Sequence, residues 1–375
     1  MSIYATMLWA GYYANDGLRK VGRDYERITR PLKWNEHGFA ETKNGEIYER
    51  LKRACQSLPV VPFAIAGAPF SCLFLGLANY FQESRLKVFQ TDIPNNPPER
   101  ERQVRILSLN GCLLESAYSP YCGVVPPFDP VGRYQTRVAA MAHWIATREI
   151  SPDVFVGQEF QDYRSQEAFV IEMRKYGFCY FILDRAPHPL FVHSGLMVAS
   201  KRPIGDVSFL EYPYSDRIDR FVIVQQGAIQ FTLKDANQKA IMRIINTHLN
   251  CGDGERVQEV RARQLQREVV PLFREGSLPT VLIGDFNFDT ANASFKRSAG
   301  LEGYTNVCEG HQTWTNEGEH HLRGRQDPVQ TENVDAILSN DLTKLSLTNP
   351  RVEKATTDNC LITDHSAVSA TATLC

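Results

Sequence analysis

CxxC pairs are missing from this chain of 375 residues, although nine cysteines are scattered along it. That spacing fits free thiols better than a disulfide framework or a structural zinc site. Cys251 is taken as a packing residue. An excess of charge of either sign is missing too: 41 Lys and Arg face 43 Asp and Glu, for a formal net charge of -2. General duplex-DNA binders neutralise phosphates with clustered cations, so no stable nucleic-acid partner is expected, although a local basic cleft is not excluded. Internal repeats and low-complexity tracts are absent. The apolar start, Met1 to Tyr13, lacks the basic flank and small-residue cleavage pattern of a signal peptide, so no cleaved leader is expected. With 43% hydrophobic and 22% charged residues, the composition is that of a folded protein able to bury a sizeable core.

One long stretch has no charge at all. Residues 54–82 are uncharged over roughly the length that crosses a bilayer as a helix, with Lys52-Arg53 before them and Glu83, Arg85 and Lys87 after. Pro59, Pro62, Pro69, Gly67 and Gly76 interrupt the stretch, which fits a re-entrant or interfacial hairpin as well as a span, and an apolar arm packed on the protein equally well. Behind it, the Pro-rich, charged residues 92–102 have the composition of a linker. The expected organisation is an N-terminal extension over 1–101 and a catalytic domain over 102–375.

Within that domain, strand-like and helical patterns alternate. Residues 133–150 carry Val138, Met141, Ala142 and Ile145 at helical spacing, and Pro152 stops the run. Residues 258–273 repeat the pattern with Val260, Leu265, Val269 and Leu272. Residues 366–374 alternate apolar and polar, as a half-buried strand does. The mixture predicts an α/β fold, two packed sheets with helices outside.

Polar groups appear where the strand-like runs stop. Thr280-Val-Leu-Ile-Gly-Asp-Phe-Asn287 is an apolar run ending at Asp285 and Asn287. Residues 104–109 end at Asn110, 154–156 lead to Gln158-Glu159, and Ile244-Ile245 leads to Asn246-Thr247-His248. Asp335 and Asp364-His365 follow near the C-terminus. Hydrolysing a phosphodiester needs an activated water, a cation to neutralise phosphoryl charge, and donors that hold the phosphate in line. Glu159 suits Mg²⁺, with Mn²⁺ as the alternative ion, and Asn110 offers a carbonyl oxygen. Asp285 is placed to accept a proton from the attacking water and Asn287 to orient it. His248 and His365 are donors to the transition state, Asp335 a partner for His365, and Asp364 a support for the metal or a histidine. Taken singly, each of these residues reads as a helix cap, a turn residue or a structural histidine. Their order beside six strand-like runs is what favours a site.

This ordered set resembles the endonuclease/exonuclease/phosphatase superfamily over residues 104–374, most specifically in Gly284-Asp-Phe-Asn287 followed by Asp364-His365. The resemblance implies a four-layered sandwich of two mixed sheets flanked by helices. It also implies metal-side roles for Asn110 and Glu159, a water-activating pair in Asp285 and Asn287, an essential His365 partnered by Asp335, and a phosphate contact for His248. Within the superfamily the chain looks most like the neutral sphingomyelinases, in His193-Ser-Gly-Leu-Met-Val-Ala-Ser-Lys-Arg-Pro-Ile204, Gln226-Gly-Ala228 and Thr247-His-Leu249. That likeness implies Mg²⁺-dependent cleavage of sphingomyelin to ceramide and phosphocholine at a membrane surface. It makes the protein membrane-associated, with a cytoplasmic location as the alternative. Two other readings stay open: a nuclease or phosphoinositide phosphatase on the same scaffold, and a membrane-bound interaction protein without turnover. Gln226 stands where sphingomyelinases typically carry Lys, a place that Arg217 or Arg220 could fill, and residues 122–130 match no pattern of the family. Trp314 and His320-His321 are read as exposed loop residues near the substrate.

Overall fold

The computed structural model describes residues 86–91, 102–113, 133–161, 163–184, 193–213, 216, 224–252, 254–315, 330–357 and 360–375. The uncharged segment 54–82, residues 92–101, residues 122–130, Arg217, Arg220 and His320-His321 lie outside the described residues. Among the described residues no helix is long and apolar enough to cross a membrane.

Strands β1 (Leu86–Gln90), β2 (Gln103–Leu113), β3 (Val154–Phe160), β4 (Tyr180–Asp184) and β5 (Met197–Ser200) belong to a first sheet. Strands β6 (Ile204–Glu211), β7 (Gly227–Lys234), β8 (Ala240–His248) and β9 (Thr280–Asp285) lie in a second. The short β10 (Trp314–Thr315) and β11 (Thr331–Glu332) return to the first sheet, β12 (Asp335–Ser339) to the second, and β13 (Leu345–Thr357) and β14 (Cys360–Leu374) close the first. The first sheet runs β1-β4-β5-β3-β2-β14-β10-β11 with β13 on β14, and the second runs β12-β9-β8-β7-β6. β1 pairs antiparallel with β4, so the first sheet includes residues upstream of the Pro-rich stretch. The ladder of β1 therefore joins residues 86–90 to the sheet that holds β2.

Period-two alternation builds the layers. Ile106, Val156, Val198, Ile244, Ile283 and Ile337 point into one apolar cluster between the sheets. The intervening residues Leu107, Leu109 and Phe155 face outward against Val138, Met141 and Ile145 of helix α1 (Arg133–Thr147) and Phe169 of α2 (Tyr163–Arg174). On the other side, Ile245, Leu282 and Leu338 meet Leu265, Val269 and Phe273. Those three residues come from a continuous helical stretch made of α3 (Glu255–Arg263), a π-turn (Gln264–Val269) and α4 (Val270–Arg274). The π-turn immediately precedes α4, whose second residue, Pro271, has no N–H to complete the regular pattern. The short α5 (Ala293–Ser298) adds Phe295 to this layer and is capped by the Asn292 side chain accepting from Phe295 N–H. Helix, sheet, sheet, helix is the four-layered sandwich expected, and burying each large side chain contributes about 1.5–3 kcal/mol.

β2 and β3 run parallel with α1 between them in sequence, and β8 and β9 run parallel with α3 to α4 between them. Two β-α-β crossovers therefore deliver the carboxyl ends of two parallel strand pairs, one in each sheet, and such ends are where α/β folds place their sites.

Candidate active site

The inward-facing column of each strand turns from apolar to polar at that end. Ile244 gives way to Asn246 and His248, Ile283 to Asp285, Ile106 to Ser108 and Asn110, and Val156 to Gln158. Ladder pairing then aligns the ends: His248 is in register with Asp285, and Asp285 with Asp335. Cross-strand partners share a face, so imidazole, carboxylate and carboxylate form one row across β8, β9 and β12. Opposite them, Asn110 is in register with Gln158. The two rows touch: Asn110 Nδ2 donates to Asp285 Oδ2 at 2.9 Å, and Gln158 Nε2 donates to Asn246 Oδ1 at 2.8 Å.

Three residues leave the regular backbone to reach this place. Cys112, Glu159 and Asn287 have positive φ values of 46°, 59° and 54°. A non-glycine residue held there costs about 1–3 kcal/mol and persists only where its surroundings enforce it. Regular alternation after the inward Gln158 would turn Glu159 toward the helices. The left-handed kink instead leaves its Oε1 3.8 Å from His248 Nε2, and the chain behind it is pinned by Phe160 N–H donating to Gly195 O at 2.9 Å. The sphingomyelinase-like stretch 193–204 thus forms the support behind Glu159. Gly284 answers to a different demand: its φ is 142°, and a Cβ there would sit 2.0 Å from Thr247 O.

Asp285 is the centre. Its Oδ1 accepts Asn287 N–H at 2.8 Å, its Oδ2 accepts from Asn110, and His248 Nε2 and His365 Nε2 stand 3.5 Å and 3.7 Å from the same Oδ2. Asp335 Oδ2 meets His365 Nδ1 at 3.0 Å, which turns the opposite ring nitrogen toward Asp285. Burial pulls the His365 ring down, yet the charges of Asp335 and Asp285 and the Asp335 hydrogen bond outweigh it and hold the ring well above 6.5. His248 goes the other way, lowered chiefly by burial, and its Nε2 has no hydrogen-bond partner among the described residues. One imidazolium and one neutral imidazole thus flank one carboxylate.

Glu159 is pushed up to about 8 by burial, reinforced by the charges of Asp364 and Asp285 against the pull of His365. Asp364 Oδ2 accepts Trp314 Nε1–H at 3.2 Å. Asp285, Asp335 and His365 also offer ligand atoms within 4.8 Å of one another. That trio is already joined through the His365 ring, so a cation there would have to displace a proton held between neighbours. The charge of Asp364 acts on the Glu159 carboxyl, and a hard divalent cation held there would relieve that repulsion. These residues fit such an ion.

The eight expected site residues lie together here, and two of them make further contacts within the protein. The Asn110 oxygen, read as a cation ligand, accepts Cys112 N–H at 2.9 Å while its amide ties the sheets together. The Asn287 side-chain amide, read as a water or phosphate contact, donates to Leu249 O at 3.0 Å. Gln226 is buried with its oxygen accepting from Gln264 Nε2 at 3.1 Å. Sequence reasoning assigned no role to Ser108, Gln158, Asn246 and Thr363. Their signal was a polar side chain at a buried inward position of an otherwise apolar strand.

A layered α/β sandwich with carboxylates and imidazoles converging at its strand ends defines a class of phosphoester-handling proteins. The chain belongs to the Endonuclease/Exonuclease/phosphatase family, which matches residues 113–343. No curated protein matches the sequence. Among solved structures, it is similar to beta toxin from Staphylococcus aureus at 16% identity and a TM-score of 0.52, covering 71% of this chain and 99% of that one. A beta toxin mutant with bound magnesium ions matches at 14% identity and a TM-score of 0.52, over 72% and 99%. D. rerio TDP2 complexed with single strand DNA product matches at 14% identity and a TM-score of 0.51, over 72% and 98%.

Proposed function

We propose that the protein is a divalent-metal-dependent phosphodiesterase that hydrolyses a membrane phospholipid, with sphingomyelin as the substrate to test first. The observation that carries the hydrolase reading is the row His248, Asp285, Asp335, with His365 beside it, facing Glu159 across the gap between the sheets. The lipid reading rests on the sphingomyelinase-like stretch 193–204 and the uncharged segment 54–82, which would carry the site to a membrane surface.

Glu159 and Asp364 would hold Mg²⁺ or Mn²⁺, which when bound neutralises charge developing on the phosphoryl oxygens. Asp285 accepts the proton of the attacking water, and the surrounding N–H groups keep its oxygens aimed. His248, neutral and with Nε2 unengaged, donates to a non-bridging phosphoryl oxygen. The imidazolium of His365, steadied by Asp335, supplies a positive charge and a proton donor beside the phosphorus. Asn110 and Asn287 act by fixing Asp285 and the loop after β8.

The test is release of phosphocholine from sphingomyelin liposomes with Mg²⁺, with and without EDTA. Chelation should abolish release. Activity that survives EDTA, or none on any choline lipid, refutes the proposal, and cleavage of plasmid or abasic oligonucleotide instead would transfer the site to nucleic acid.

A further inference from the structure

The backbone ladder between β2 and β14 stops short of the site. Its last pair toward the site is Val368 with Ser108, whereas Asn110 on β2 and Asp364 and His365 on β14 lie beyond it. Side chains take over where the ladder ends. Thr363 Oγ1 donates to Asn110 O at 2.8 Å. From helix α1, Arg137 reaches both strands: Nε donates to Ile362 O at 2.8 Å, and Nη2 donates to Cys112 O at 2.9 Å and to Gly111 O. We propose that Arg137 is a positioning residue that fixes the strand end carrying Asn110 to the strand end carrying Asp364 and His365.

Three considerations support the assignment. Arg137 is buried, and among the described residues its partners are carbonyl oxygens and no carboxylate. A buried guanidinium is costly to desolvate, and an apolar side chain of similar volume would fill the space without that cost. What only the guanidinium supplies is a planar fork of donors able to hold carbonyls from two strands at once, which the point charge of lysine cannot do. Moreover, the carbonyls it holds belong to the left-handed Cys112, to Gly111 before it and to Ile362 just before the Thr363-Asp364-His365 run, where the β2–β14 ladder does not set the spacing.

The consequence for turnover rests on the phosphodiesterase reading; the clamp itself does not. The experiment compares the full chain with Arg137→Met and Arg137→Lys, measuring phosphodiester hydrolysis at saturating Mg²⁺ and amide hydrogen exchange in parallel. Arg137→Met should lower kcat about 10–100-fold with KM within about twofold, because misplacing catalytic groups by about an ångström costs that much. Arg137→Lys should recover little of it. Exchange should speed up at residues 110–113 and 361–366 while residues 104–108 and 368–373 stay protected. If Arg137→Met fails to fold, Arg137→Lys carries the comparison. Unchanged local exchange, exchange that rises uniformly along both strands, or kcat within twofold of wild type in folded protein would each overturn the assignment. Should the wild-type protein hydrolyse no phosphodiester, the function reading falls and the exchange pattern alone decides the clamp.

Discussion

Raising the pH from about 6 to about 8 should tighten Mg²⁺ binding about 50-fold, because the carboxyl of Glu159, held up at about 8, must lose its proton to receive the ion. The apparent dissociation constant scales as one plus the ratio of protonated to ionised Glu159. That factor is about 100 at pH 6, about 11 at pH 7 and about 2 at pH 8, and roughly 0.9 proton is released per ion at pH 7. Calorimetric titration in two buffers of different ionisation enthalpy measures both quantities. The sign carries over to the metal-free fold. Because its folded-state value lies above the ordinary 4.5, Glu159 binds more proton in the native state than in the unfolded chain, and its contribution to the stability of the metal-free protein is lost as pH rises from about 4.5 through about 8. Added Mg²⁺ should reverse that trend. Glu159→Gln should flatten both dependences. A dissociation constant that stays constant between pH 6 and pH 8, with no buffer-dependent heat, would refute the reasoning that Glu159 is both perturbed and a ligand.

Asp285→Asn should leave the fold intact and lower kcat about 10³-fold, since it removes the proton acceptor at the centre of the row, and steady-state assays beside a thermal melt check both halves. His365→Ala should abolish turnover with little change in melting temperature; retention of the wild-type rate would contradict its role. Gly284→Ala should destabilise the fold by about 2–4 kcal/mol in urea titration, because a Cβ there meets Thr247 O at 2.0 Å, backbone that cannot step aside without breaking the β8–β9 ladder.

Much of the layered fold was legible from periodicity. A strand buried on both faces, such as β9, leaves a continuous apolar run, burial under helices selects every third or fourth residue of α1, and both patterns survive in the sequence without any long-range information. The switch from isoleucine to a polar residue at Ile283 and Asp285, or at Ile244, Asn246 and His248, was legible for the same reason. Chain position alone could therefore name the residues of the site. What they do to one another was decided by tertiary contact. The register that sets His248, Asp285 and Asp335 in one row depends on strands distant in sequence. The left-handed turn that brings Glu159 inward is enforced by packing around it, not by its own preference, which for glutamate opposes such a φ. Likewise the Asn110 oxygen accepts Cys112 N–H, and the guanidinium of Arg137 crosses to a carbonyl 225 residues away in the chain. A strand's period is a local property and stays in the sequence; the partner of a buried donor is set by which strand ends the folded layers bring within about 3 Å of it.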